Sequence, residues 1–139
     1  MTTGDEQSLG LARFLLWLSA IGVAVYSALY IGGLRLSQGV PDCGRQLQVA
    51  QLPSSLWTAI AAGLGALGIG RKRRWGLFMA IAAASAALYI GLLDITFDLR
   101  NSVYLMPWRD LAPELFANAV CTLLPLYLFL VVLRAPAWE

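Results

Sequence analysis

Long apolar runs alternate with short polar ones along this chain. Four stretches carry no charge, Phe14–Leu34, Pro53–Gly70, Trp75–Leu93 and Leu115–Leu133, and each is 18 to 21 residues long. A helix rising ~1.5 Å per residue needs about 20 residues to cross ~30 Å of hydrocarbon, so each stretch suffices for one crossing. Membrane β-strands would need only ~10 residues with apolar and polar positions alternating, and these runs do not alternate. The pattern predicts an all-α membrane protein. One domain, residues 1–139, holds four transmembrane helices over about 12–35, 53–70, 74–98 and 111–133, arranged as two helical hairpins.

Breakers sharpen the expected ends. Asp110 suits the N-cap of the fourth helix, with Pro113 in its first turn where no intrahelical bond is lost, and Pro53 is expected to start the second helix likewise. Pro125 is interior, so it removes the bond to the Cys121 carbonyl and predicts a kink.

Composition agrees with a life in lipid: 59% of residues are hydrophobic and 13% charged, far from the balance of soluble domains. The first helix reads as retained rather than as a secretory leader. Its polar tail, MTTGDEQSLGLAR, holds two acids and one arginine, and its apolar run exceeds the ~7–15 residues of a leader core.

Charge then orients the bundle. The turn between the second and third helices is RKRR, Arg71–Arg74, and such clusters stay cytoplasmic. Both termini follow it inside, and the loops Arg35–Leu52 and Asp94–Glu114 lie outside. Arg13, Arg71, Lys72, Arg73, Arg74 and Arg134 face Asp5, Glu6 and Glu139 on the inner side, whereas the outer side sets four arginines against Asp42, Asp94, Asp98, Asp110 and Glu114. RKRR reads as a topology signal with attraction to anionic headgroups, not as a nucleic-acid or phosphoinositide site. Nine arginines to one lysine suit a GC-rich genome, and the expected location is a bacterial inner membrane.

An internal match suggests how the hairpins arose. SALYIGGLRLS, Ser27–Ser37, aligns without gaps on AALYIGLLDIT, Ala86–Thr96, an offset of 59 residues that makes 11–70 and 75–133 a possible hairpin repeat. Both hairpins would start and return on the same side, as parallel repeats do. Arg35 and Asp94 then occupy equivalent positions and are expected to pair across the pseudo-two-fold axis.

Small residues predict where helices touch. Ala20, Ala24, Ala28 and Gly32 recur every fourth residue on the first helix, as do Ala83, Ala87 and Gly91 on the third, a spacing that lets backbones approach. Asp94 and Asp98 continue the third helix's small face. The second helix is small on nearly every side, and the fourth, bulky after Pro125, is expected to offer more surface to lipid. Trp57, Tyr104 and Trp108 suit the outer interface, and Trp75 and Trp138 the inner one.

The candidate chemistry is narrow. Without histidine, bis-histidine haem, His-Glu-x-x-His zinc sites and Ser-His-Asp triads have no ligands or base. Cys43 in the outer loop and Cys121 deep in a helix form no adjacent redox pair; Cys121 reads as a packing residue and Cys43 as a free thiol. What remains is an outer cluster of Arg35, Asp94, Asp98, Arg100, Asn101, Glu114 and Asn118. It could be a mutually neutralised ring, a seat for a hard cation such as calcium, or a set of carboxylates sharing protons for transport. No nucleophile accompanies them, so catalysis ranks last. The expected function is a non-enzymatic accessory or interaction subunit whose partners are the lipid bilayer and another membrane protein or further copies of itself, with no nucleic acid. The alternative is a small oligomeric ion or solute transporter or channel using the outer carboxylates.

Overall fold

Runs this long and apolar satisfy their backbone groups as helix, and four long helices are what form. A computed structural model describes residues 3–33 and 42–135. It contains α1 (Thr3–Ile31), α2 (Asp42–Gly70), α3 (Arg74–Arg100) and α4 (Trp108–Leu133), with a short helical turn, Val103–Leu105, before α4. Within them Glu6–Ile31, Gln46–Gly70, Arg74–Arg100 and Trp108–Leu133 are each long and apolar enough to cross a membrane.

The ends differ from the expected ones for local reasons. The polar tail of α1 continues the helix back to Thr3, and the helix stops at Ile31 because Gly33 turns left-handed at φ 86°. α2 begins at Asp42 rather than at Pro53, so residues 42–52, expected as outer loop, are helical and Pro53 lies inside the helix. A proline there forfeits its bond to the Val49 carbonyl and its ring crowds that carbonyl, yet the helix continues through it. α4 likewise begins at Trp108 behind Pro107, which places Asp110 in its first turn and Pro113 just beyond it. Asp110 is therefore not the cap. It adds negative charge where the helix dipole is positive. Pro125 is interior as expected, and buried.

Consecutive helices pack side by side, and glycine decides how closely. A Cβ on Gly68 would overlap the Gly76 Cα, one on Gly65 would stand 3.0 Å from the Ala80 nitrogen, and one on Gly91 would stand 2.9 Å from the Cys121 Cβ. α3 thus touches α2 backbone to backbone near the RKRR turn and receives α4 closely further out. One core runs through all four helices, from Leu9, Ala12, Leu16 and Ala20 through Ala62, Ala66, Ala80 and Ala84 to Leu128 and Val131.

On α3 the small face is used as expected, with Ala83, Gly91 and Asp98 buried and Asp94 half-buried. α2 is the most buried of the spanning helices. On α1 the expected face is corrected: Ala20 is buried, but Ala24, Ala28 and Gly32 are exposed. The buried side of α1 runs through Leu9, Ala12, Leu16 and Ala20 to Ser27, in steps of three, four and seven that keep to one side of a helix, and Ala24, Ala28 and Gly32 lie off that side.

α1 and α4 meet in few places; one is the Tyr127 hydroxyl, which donates to the Ser8 carbonyl at 3.4 Å. Two hairpins related by a two-fold axis would set α1 on α4 as firmly as α2 lies on α3. The packing is instead a row of neighbours, and the 59-residue match stays a property of the sequence.

The glycine contacts carry a stability prediction. Gly68→Ala or Gly76→Ala forces two backbones apart and should lower unfolding stability in detergent by about 1–3 kcal/mol. Gly22→Ala, with nothing within 4 Å of the new carbon, should raise it by roughly 0.5–1 kcal/mol through helix propensity.

Candidate functional site

Beyond Gly91, the α3 small face turns polar, and its two carboxyls divide between neighbouring helices. Gly91 admits the α4 backbone at Cys121, which brings Asn118, one turn further out, against Asp98. Asn118 Nδ2 donates to Asp98 Oδ2 at 2.7 Å and approaches the Tyr104 hydroxyl at 3.2 Å, while the Tyr104 hydroxyl also bonds Asp98. Asp98 and Asn118 are 4% and 5% exposed, so their bond is buried, with half-buried Tyr104 at its edge. One turn inward, Asp94 Oδ1 accepts from Gln51 Nε2 of α2 at 2.9 Å. One carboxyl therefore ties α3 to α2 and the other ties it to α4.

The turn after α3 supplies Tyr104. Ser102 adopts a left-handed conformation at φ 56°, the chain reverses, and Val103 is buried at 1% exposure, which fixes the tyrosine that follows. Burial, with the Asp98 carboxyl beside it, pushes the Tyr104 hydroxyl above its ordinary pKa, so it keeps its proton and can donate. Asn101 stands apart from this contact. Its Nδ2 donates to the Phe97 carbonyl at 2.9 Å and closes the end of α3.

α1 completes the margin. Tyr26 lies within electrostatic reach of Glu114, Asp94 and Cys121 and stacks on Tyr30 with ring centroids 6.4 Å apart. Among the described residues, two polar atoms are buried without hydrogen-bond partners, Ser27 Oγ and Asn118 Oδ1. The second is an acceptor beside the Asp98 contact, left over after the amide nitrogen has been used.

Of the residues expected to form one cluster, Asp94, Asp98 and Asn118 join the polar network, and Glu114 lies near Tyr26. Arg100 is exposed and Asn101 serves the helix end. Arg35 lies outside the described residues, so the expected pair with Asp94 does too, and Asp94 takes Gln51. Among the described residues no three acidic, cysteine or histidine side chains gather around a possible ion. Gln51 holds Asp94 on the α2 side while Asn118 holds Asp98 on the α4 side. Cys121 is a free thiol, half-buried against Gly91, whereas the side chain of Cys43 lies outside the described residues. Gln51 and Tyr104 are participants that formal charge does not point to. Counting α2 back from Arg71 does place Gln51 at the right depth, but Tyr104 depends on a left-handed serine that no spacing announces.

Comparison with protein families, with characterised proteins and with solved structures finds no match for this chain.

Removing the amide from buried Asp98 should be costly. Asn118→Leu is expected to lose about 1–3 kcal/mol in detergent unfolding, because a buried acceptor is stranded, and Gln51→Leu should lose less because Asp94 is only half-buried. Asp98→Leu with Asn118→Leu should cost less than the sum of the singles. Additive losses would mean the two residues serve separate partners.

Proposed function

We propose that the protein is a non-enzymatic, multi-pass membrane subunit that acts by binding another membrane protein, in a bacterial inner membrane with both termini cytoplasmic. The observation that carries this reading is the position of Ala24, Ala28 and Gly32, a small-residue series at four-residue spacing that is exposed along the outer half of α1. Small residues repeated in this way let a second helix approach closely in lipid, where packing rather than water drives association. α1 is also the least buried of the spanning helices, which leaves that side free for a partner helix. The polar residues fit the same reading, because Asp94, Asp98, Gln51 and Asn118 are engaged in joining helices of this chain.

A second reading, a small oligomeric transporter, draws on one observation: the Asn118 Oδ1 acceptor, buried and unpartnered beside Asp98. Such an atom offers a place to a donor or cation passing the outer mouth.

Purification from native membranes in mild detergent separates the two. A stoichiometric partner that is lost in Ala24→Leu/Ala28→Leu, with the variant's own unfolding unchanged, is the expected result. A homo-oligomer that conducts ions in liposomes, with flux abolished by Asp98→Asn, would replace the accessory reading with the transport one.

A further inference from the structure

The basic end of the bundle has more structure than a topology signal requires. Six cations share it: Arg13 from α1, Arg71, Lys72, Arg73 and Arg74 from the α2–α3 turn, and Arg134 at the end of α4, all exposed. Glu6 is the carboxylate described at that end. The helices hold these charges together. The Arg13 Cζ lies 2.7 Å from where a Cβ on Gly70 would stand, so an arginine from α1 rests against the end of α2 beside the turn. The turn itself is closed by main-chain bonds, with the Lys72 nitrogen donating to the Ile69 carbonyl and the Arg73 nitrogen to the Gly68 carbonyl, each at 3.0 Å. Lys72 occupies the left-handed position at φ 51° where helix ends ordinarily place glycine. Charge is thus kept at a site where a glycine would fit with less strain.

Cations this close repel one another unless an anion lies among them. The neighbouring surface limits which anion fits. Trp75, which follows Arg74, is 40% exposed, and Phe14 and Phe78, beside Arg13 and one turn into α3, are 62% and 64% exposed. Charge at the end of the span, an interfacial tryptophan and apolar rings leading into it match a molecule with a phosphate head and hydrocarbon tails.

We propose that this end is a binding site for the phosphate headgroup of an anionic phospholipid, held by Arg13 together with the Arg71–Arg74 turn, its acyl chains lying along the exposed aromatic side chains. The lipid neutralises the collar and braces α1 against the α2–α3 turn. Free phosphate shares the headgroup chemistry but cannot use the apolar flank.

The test uses the full chain in detergent, with native mass spectrometry and thermal unfolding in the presence of phosphatidylglycerol, phosphatidylcholine or inorganic phosphate at equal concentration. Phosphatidylglycerol should be retained on the protein and raise its unfolding temperature, and the other two should do neither. Arg13→Gln should weaken phosphatidylglycerol binding about fivefold, the size expected for one cation at a charged surface. Arg73→Gln, whose side chain stands in the open turn, gives the same comparison if the Arg13 variant folds poorly. Arg100→Gln/Arg109→Gln removes two cations from the opposite end and should leave binding unchanged. Equal retention of the two lipids, stabilisation by inorganic phosphate alone, or an equal loss in the opposite-end variant would overturn the proposal.

Discussion

The backbone contact between α2 and α3 is the constraint from which the rest of the arrangement follows. In lipid, apolar side chains gain nothing from leaving water, so helices hold together through dispersion and hydrogen bonds, and dispersion rewards close approach. Gly65 against Ala80 and Gly68 against Gly76 bring the two helices within backbone contact, and only a residue without a Cβ permits the tighter of these. α3 is thereby locked in rotation, with its small face turned to α2 at one end. Where that face continues past Gly91, it must carry Asp94 and Asp98 into the bundle.

The two ends consequently have opposite character. At one end, carboxyls are distributed between α2 and α4 through the amides of Gln51 and Asn118, which gives the helix row a directional hydrogen bond on each side of α3. At the other end, exposed cations from α1, the turn and α4 gather, with Glu6 the carboxylate among the described side chains there. The interior between them is nearly featureless. A void of about 20 Å³ lined by Leu16, Thr58, Ala62 and Pro125 among others has room for about one water, but the Thr58 hydroxyl there already donates to the Ser54 carbonyl at 2.8 Å, and an apolar space of that size stays dry. Threonines 96 and 122 bond back in the same way to the carbonyls of Leu92 and Asn118, so helix hydroxyls are satisfied locally.

Much of this was legible in the chain because spanning a bilayer imposes length and polarity so strictly. The four helices long and apolar enough to cross a membrane, the small face of α3 with its two aspartates, the interior Pro125 and the basic turn all follow from counting. Three features escaped for identifiable reasons. Prolines 53 and 113 look like helix starts, since a proline costs nothing there, yet the turns before them are good helix formers and the helices extend past both. Ala24, Ala28 and Gly32 have the spacing of a packing stripe, but which side of α1 is buried depends on where α2 lies, and that side runs through Ala20 to Ser27. Gln51 and Tyr104 carry no formal charge, so a search guided by charge passes over them. Their roles arise from tertiary placement, one from the rotation of α2 and the other from a left-handed turn.

Disulfide capture in native membranes tests the central contact most directly. The Cβ of a residue at 65 would stand 3.4 Å from the Ala80 Cβ, close to the ~3.8 Å separation of bonded cysteines. With Cys43 and Cys121 replaced by serine, Gly65→Cys/Ala80→Cys should oxidise within one chain, and trypsin cleavage at the RKRR turn should leave two fragments that separate only after reduction. Fragments that separate without reductant, or cross-links found only between chains, would show that α2 and α3 do not meet as described, and the arrangement built on them would fall.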